Sequence, residues 1–368
     1  MIKKVFMAVI LVMLVLPGVI SAFHEGGIGY CEGCHATHLS PKNGIQNVYQ
    51  PAMVTGSDPS STCLRCHAEG GQYYNVLSID GSTFSAGGDF YWLKKTFTWK
   101  KGAISYRSDG DNHGHNIVAD DYGLQADITA TTAPGGTYPA SGLSCISCHD
   151  PHGNTVVDPA GTFVENYRLL GGEGYSDGTN VSSMSFTDPA PVAASDAYDW
   201  TESDTRHVAY GSGMSEWCGN CHPDFLHDRN KHPAGNYEKL SQTMISNYNA
   251  YIKTGNMNGT RSAAYLALVP FEQGVTDADL LDPWSTAGPD PSGNANVMCL
   301  TCHRAHASAF NNIGRWDFSA TFLNDSHPQY GDGGVTGDDV YNSYYGRDII
   351  GDFGEYQRQL CNKCHVQD

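Results

Sequence analysis

The stretch Cys31-Glu-Gly-Cys34-His35 is the first of six Cys-x-x-Cys-His motifs in a chain of 368 residues. The other five are Cys63-Leu-Arg-Cys66-His67, Cys145-Ile-Ser-Cys148-His149, Cys218-Gly-Asn-Cys221-His222, Cys299-Leu-Thr-Cys302-His303 and Cys361-Asn-Lys-Cys364-His365. Together they account for all 12 cysteines. This is the motif to which c-type haem is attached: both thiols bond to the porphyrin, and the following imidazole becomes the proximal iron ligand.

A single Cys-x-x-Cys pair is also typical of a zinc half-site or of a dithiol redox motif. Here every pair is followed by histidine, and no cysteine is left over. The complete set therefore favours haem over both alternatives. The sequence predicts six covalently bound haem c groups with their iron, and no disulfide bond.

The N-terminus predicts export from the cytoplasm. Two lysines precede an apolar run over residues 5–20, and Ser21-Ala22 follows, which is typical of a secretory signal peptide over residues 1–22. A membrane anchor is the weaker alternative, because a proline and a glycine interrupt the run and it is shorter than a span of about 20 residues. We expect one domain over residues 23–368, with no membrane span.

Composition indicates a loop-rich polypeptide with little regular structure: 42 glycines, 17 prolines and 16% charged residues. The haems must therefore supply much of the core. The formal net charge of −18 disfavours nucleic acid as a partner. The motifs are irregularly spaced and no fixed repeat is evident, which argues against a tandem array of identical modules.

Local patterns predict only a few elements. Apolar periodicity favours a helix from about Tyr237 to Lys253, and a second short helix over 261–268. High β-propensity around residues 91–99 favours a hairpin. The glycine- and aspartate-rich composition of residues 331–339 predicts a loop.

Ten of the 16 histidines lie outside the motifs: His24, His38, His113, His115, His152, His207, His227, His232, His306 and His327. Six irons need six distal ligands, so all six sites can be bis-histidine. Methionine ligation is the minor hypothesis.

Three of these histidines follow a proximal histidine by three residues: His38, His152 and His306. Such a residue cannot easily reach the far side of its own motif's haem, but it is well placed to bind the iron of an adjacent haem. His115 and His232 occupy turn-like contexts that suit distal ligands. We expect surface or structural roles for the three histidines His113, His207 and His327.

The chain resembles the outer-surface hexahaem c-type cytochromes of metal-reducing bacteria over essentially its whole mature length. The matching stretches include Phe23-His24, Gly87-Gly-Asp-Phe90, His115-Asn-Ile-Val118, Thr131-Thr-Ala-Pro-Gly-Gly-Thr-Tyr-Pro-Ala140, Gly213-Met-Ser-Glu-Trp-Cys218, His232-Pro-Ala-Gly-Asn236 and Cys302-His-Arg-Ala-His-Ala-Ser308. The resemblance implies a fold of mostly coil with a few short α-helices and very little strand, organised around a chain of six haems.

The resemblance also implies head-to-tail polymerisation into extracellular conductive filaments, in which one haem per subunit takes its distal histidine from a neighbour. The matching donor is His38, and the acceptor is the haem held by Cys299, Cys302 and His303. The distal ligands within the subunit become His24, His115, His152, His232 and His306. The stretch Phe225-Leu-His227 departs from the family, which leaves open whether His227 replaces one of them.

Three functions compete at this point. The leading hypothesis is a secreted filament, exported through the periplasm, that passes electrons from haem to haem to acceptors such as metal oxides or partner cells. The first alternative is a monomeric periplasmic electron carrier. A multihaem reductase is disfavoured, because a catalytic iron needs an open position and distal histidines are abundant here.

Overall fold

The computed structural model describes residues 31–35, 54–70, 74–153, 156–157, 163–164, 166–178, 184–196, 201–227 and 233–365. The predicted signal peptide and the predicted ligands His24, His38 and His232 lie outside these ranges. Turns and irregular coil make up most of the described chain, so the prediction of a mostly coil fold is confirmed. Within the described residues, no helix has the length and apolar character needed to cross a membrane.

Regular elements in the described ranges are short. The α-helices are α1 (Cys31–Cys34), α2 (Pro59–His67), α3 (Met214–Gly219), α4 (Pro223–His227), α5 (Gln242–Ala250), α6 (Cys299–Cys302), α7 (Asp339–Ser343) and α8 (Ile349–Phe353). Three antiparallel two-stranded sheets pair β1 (Phe97–Lys101) with β2 (Ile104–Ser108), β3 (Val156–Val157) with β4 (Phe163–Val164), and β5 (Val192–Ala194) with β6 (Ala209–Ser212). Short 3-10 turns include Phe90–Lys94, Cys145–Ser147, Arg261–Ala263, Ala278–Leu280 and Leu360–Lys363.

Local chemistry explains where helices begin. Asp58 accepts a hydrogen bond from the N–H of Ser61 and so caps α2, whose first residue is a proline. Ser241 caps α5 by accepting from the N–H of Met244. The helix predicted over 237–253 is therefore real but shorter at both ends, because it begins after the capping serine and ends where Tyr251 is extended.

The helix predicted over 261–268 is wrong beyond its first turn. Only Arg261–Ala263 forms a 3-10 turn, and every residue from Ala264 to Val269 is buried. Because every residue of this segment is buried, the segment has no exposed face, and its burial does not require the amphipathic pattern of a surface helix. The hairpin predicted near 91–99 exists, but its strands lie further along the chain, joined through Gly102 at φ +63°. The loop predicted over 331–339 is confirmed up to the start of α7.

The described apolar core is divided into three clusters, each in contact with motif cysteines. They are built around Tyr248, Phe310 and Trp316, around Leu64, Trp92 and Phe97, and around Tyr210, Met214 and Met298. Cys302 and Cys364 pack against the first cluster, Cys145 against the second and Cys218 against the third. The hydrophobic interior is thus arranged around the motifs.

Candidate functional site

Each motif closes as one tight turn. The N–H of the proximal histidine donates to the carbonyl of the first cysteine at 2.9 Å in the third motif, and at 3.0 Å in the fourth, fifth and sixth. Because this bond closes a single helical turn, it holds two thiols and one imidazole close together. That is the arrangement needed to bind one porphyrin through two thioethers and its iron through the imidazole.

Three pairs of imidazole rings face each other across the described structure. Ring centroids are 6.2 Å apart for His35 and His152, 6.0 Å for His115 and His222, and 6.4 Å for His149 and His306. Two metal–nitrogen bonds of about 2 Å, plus the distance from each nitrogen to its ring centre, place opposing ring centres about 6 Å apart. Each pair therefore fits the two axial ligands of one iron.

Backbone carbonyls orient these rings. Nδ1 lies 2.6 Å from the Ala305 carbonyl oxygen in His115, and 2.7 Å from that of Pro134 in His222. The corresponding contacts are 2.8 Å for His149, 3.4 Å for His306, 3.2 Å for His67 and 2.7 Å for His303. A carbonyl can only accept, so Nδ1 carries the proton and Nε2 is left with the lone pair that binds a metal.

Burial favours the neutral form of four of the six paired imidazoles. It lowers the pKa of His115 to about 4 and that of His306 to about 3. Burial also lowers the pKa of His149 and His222. Neutral imidazole is the metal-binding form.

Three histidines expected to be structural are held differently. In His113, Nδ1 contacts the Trp92 carbonyl and Nε2 contacts the Ser108 hydroxyl. Both nitrogens of His207 contact carbonyl oxygens at 2.9 Å. Nδ1 of His327 binds the Asp332 carboxylate, and its ring stacks on another aromatic side chain. With both ring nitrogens engaged, His113 and His207 have no nitrogen left for a metal.

Three proximal histidines belong to none of these pairs: His67, His303 and His365. The three remaining predicted ligands, His24, His38 and His232, lie outside the described residues. His227 ends α4, and its side chain also lies outside the described part of the chain.

Two pairs of motifs dock through the same contact. The hydroxyl of Ser60, three residues before the second motif, accepts a hydrogen bond from the N–H of Cys145 at 3.1 Å. The hydroxyl of Ser215, three residues before the fourth motif, accepts from the N–H of Cys299 at 3.0 Å. The Cys63 thiol contacts that of Cys145, just as Cys218 contacts Cys299. The same contact thus joins the second motif to the third and the fourth motif to the fifth, which gives two two-motif units.

Sequence reasoning missed these units, although the spacing contains the signal. The offset is 154 residues from Cys145 to Cys299 and from His152 to His306, and it is 155 from Cys63 to Cys218. Irregular gaps between successive motifs conceal this longer period. The common offset concerns these two motif pairs, and the prediction that the chain is not a tandem array of identical modules stays a prediction.

A buried charge network lies against the fifth motif. Glu202 binds both Arg304 and Arg315, and all three side chains are at most 2% exposed. Nε of Arg315 donates to the carbonyl oxygen of Leu300 at 2.6 Å and to that of His303 at 3.1 Å. The network thus fixes the backbone of the motif turn.

Two buried donors near this network fit a haem. Nη2 of Arg315 and Nε1 of Trp316 have no hydrogen-bond partner among the described residues. Buried donors normally find acceptors, and haem has two propionate carboxylates that accept.

None of the 11 cysteines with described side chains forms a disulfide. Burial raises the pKa of Cys148, Cys302 and Cys364 to about 12.

The chain is similar to a known c-type cytochrome and to the filaments that this cytochrome forms. No family model matches the chain. The chain is 38% identical to the C-type cytochrome OmcS of Geobacter sulfurreducens, over 94% of each protein. Two solved structures are similar: the outer membrane cytochrome S filament of that organism (TM-score 0.78, 36% identity) and the OmcS nanowires (TM-score 0.80, 37% identity). In both cases the match covers 94% of this chain and 100% of the other.

Proposed function

Since the chain belongs to the family of the C-type cytochrome OmcS, we propose that it forms filaments of its own copies and conducts electrons along them outside the cell. It is an electron-transfer cytochrome with haem c, and not an enzyme. Bound haem supplies the one-electron chemistry, and the residues of the chain set its ligands, orientation and environment. The single observation behind the proposal is the likeness to OmcS filaments over 94% of the chain.

We further propose that all six motifs hold haem and that all six irons are bis-histidine. The ring separations support the pairs His35–His152, His149–His306 and His115–His222. The remaining proximal histidines are His67, His303 and His365, and their distal ligands are His24, His38 and His232.

The described pairs follow a rule that extends to the neighbouring copy. His152 follows the third motif and faces the first motif's histidine, and His306 follows the fifth motif and faces the third's. Each histidine placed three residues after a motif thus serves the motif two places earlier. For His38, which follows the first motif, two places earlier along a polymer is the fifth motif of the preceding copy. This supports an iron bond between His38 of one subunit and the His303 haem of another.

The test is the variant His38→Ala, with His327→Ala as the control because His327 binds a carboxylate instead. Negative-stain microscopy should show filaments for the wild type and for the control. The His38→Ala protein should be dispersed, and electron paramagnetic resonance should detect one high-spin haem per subunit. Dispersed wild-type protein would refute polymerisation. Normal filaments of His38→Ala with every haem low-spin would refute only the junction.

A further inference from the structure

A strongly basic hairpin stands out on this acidic chain. Five of its 21 lysines and arginines lie in residues 94–107, which contain none of its 39 aspartates and glutamates. We call this segment the basic hairpin. It comprises residues 94–96, β1, the turn and β2 as far as Arg107, and every residue from Lys101 to Arg107 is exposed. Such a concentration of one charge creates a positive surface on an otherwise negative molecule.

Three of the five cations form no ion pair among the described residues. Lys95 binds Asp339 at 2.7 Å, and Arg107 binds Asp109. The other three, Lys94, Lys100 and Lys101, form no ion pair with any residue that the structure describes. Lys100 and Lys101 lie at the tip of the hairpin, next to exposed Ile104 and Tyr106.

The body of the protein holds the basic hairpin in place. Thr98 exchanges two backbone hydrogen bonds with Gly333, at 2.9 and 2.8 Å. The Trp99 ring stacks on His327 at 4.0 Å, and its other neighbour is Tyr106 on the opposite strand at 5.8 Å. A fixed surface loses little conformational entropy on docking.

A complementary surface lies elsewhere on the same chain. Residues 277–284, which we call the acidic loop, contain Asp277, Asp279 and Asp282, all exposed and all without an ion pair among the described residues. Between and beside them, Leu280 is 69% and Trp284 is 51% exposed. Arg206 lies over the Trp284 ring at 4.1 Å and binds Asp196.

We propose that the basic hairpin of one copy docks on the acidic loop of another copy, and that this contact joins neighbouring filaments side by side. Each surface combines charge of one sign, which has no ion pair in the part of the chain that the structure describes, with exposed apolar side chains, so the two complement each other in charge and in character. Neither surface contains a motif or a candidate ligand, so the contact is separate from the His38 junction. The inference rests on the proposed function, because it requires filaments.

The interface is heterologous, since a hairpin meets a loop, and each copy offers one of each. This makes a complementation test possible. The first variant, Lys100→Glu/Lys101→Glu, carries a reversed hairpin, and the second, Asp277→Lys/Asp279→Lys, carries a reversed loop. Glu355→Lys is the matched control, because Glu355 is exposed and lies outside both surfaces. Haem absorbance and single-filament images check folding and axial assembly.

Filaments should be imaged and pelleted at about 0.01 M and about 1 M salt, where the screening lengths are roughly 30 and 3 Å. Wild-type and Glu355→Lys filaments should bundle at low salt and separate at high salt. Each reversed variant should form single filaments that do not bundle. Mixing the two preformed variants should restore bundles, because each supplies the surface that the other lacks.

Other outcomes overturn the proposal. Wild-type filaments that never bundle at low salt would refute it, as would bundling that survives both reversals. Loss of single filaments in either variant would place the contact along the axis. A third outcome would also refute the contact between copies: only the hairpin reversal has an effect, mixing does not restore bundles, and added dextran sulfate binds the wild type. In that case the basic hairpin recognises polyanions instead of a second copy.

Discussion

His149 and His306 face each other with ring centroids 6.4 Å apart, although they belong to different motif segments of the chain. In the ligation proposed above, the histidine after one motif completes the site of another. Such a bond would tie together segments that few helices or strands connect. In a chain whose longest described helices have nine residues, such bonds replace much of the usual secondary structure.

Replacing His306 with alanine should open one iron, that of the third motif. We expect one high-spin haem per subunit in the electron paramagnetic resonance spectrum, and imidazole added to the solution should return it to low spin. His207→Ala, which removes an imidazole bound to two carbonyls, should leave all haems low-spin. An unchanged spectrum for His306→Ala would exclude His306 as a ligand.

Ser60→Ala and Ser215→Ala should destabilise the protein by similar amounts, about 1–3 kcal/mol each, because each leaves a backbone N–H of a motif cysteine unpaired. Denaturant unfolding measures the effect. Ser319→Ala, at an exposed hydroxyl, is the control and should change little. A large loss for one serine and none for the other would contradict the equivalence of the two units.

Glu202→Gln should cost about 3–5 kcal/mol in the free energy of unfolding, since two buried guanidinium groups lose their counter-charge. The comparison is Asp290→Asn, which removes an exposed partner of Arg261 and should have little effect. If the two substitutions prove equally mild in thermal unfolding, the buried network is not a major source of stability.

Acid should weaken the protein partly through Glu202. Burial alone would raise its pKa, but Arg304 and Arg315 outweigh burial and hold the pKa below 4.5. The stability gained from the ionised carboxylate is thus complete above pH 4.5 and is lost as pH falls through the lower folded-state pKa. In Glu202→Gln, the fall in melting temperature below pH 4.5 should be shallower. An identical acid profile would show that Glu202 does not titrate in this range.

The mature protein should carry six haems and begin at Phe23. Its intact mass should exceed the mass of polypeptide 23–368 by six haem groups, and alkylation under denaturing conditions should find no free thiol, because all 12 cysteines are thioethers. A lower haem count, or a retained N-terminal segment, would contradict the corresponding prediction.

Features that depend on residues close together in the chain could be predicted from the sequence. The helix near Gln242 and the hairpin depend on residues close together in the chain, and both were predicted in kind, if not in their limits. The helix predicted after Arg261 was wrong, because an apolar run of this length suits a helix as well as an extended core segment.

Features that depend on residues far apart in the chain could not be predicted from the sequence. Nothing near His115 indicates that it faces His222, because that pairing is set by the path of the chain between them. The same holds for Glu202, whose partners Arg304 and Arg315 lie more than 100 positions away. The serines at the start of the two-motif units could have been found from the common offset, which successive motif gaps conceal.

The docking of Cys145 on Ser60, repeated by Cys299 on Ser215, also bears on how such chains change in evolution. Duplicating a segment that contains one unit adds two motifs, the contact that joins them, and a histidine three residues after the second motif. A single inserted motif would bring no serine to accept the hydrogen bond from its first cysteine, and no neighbouring motif whose iron its own histidine could bind. Gene duplication in this lineage is therefore expected to add or remove haems two at a time.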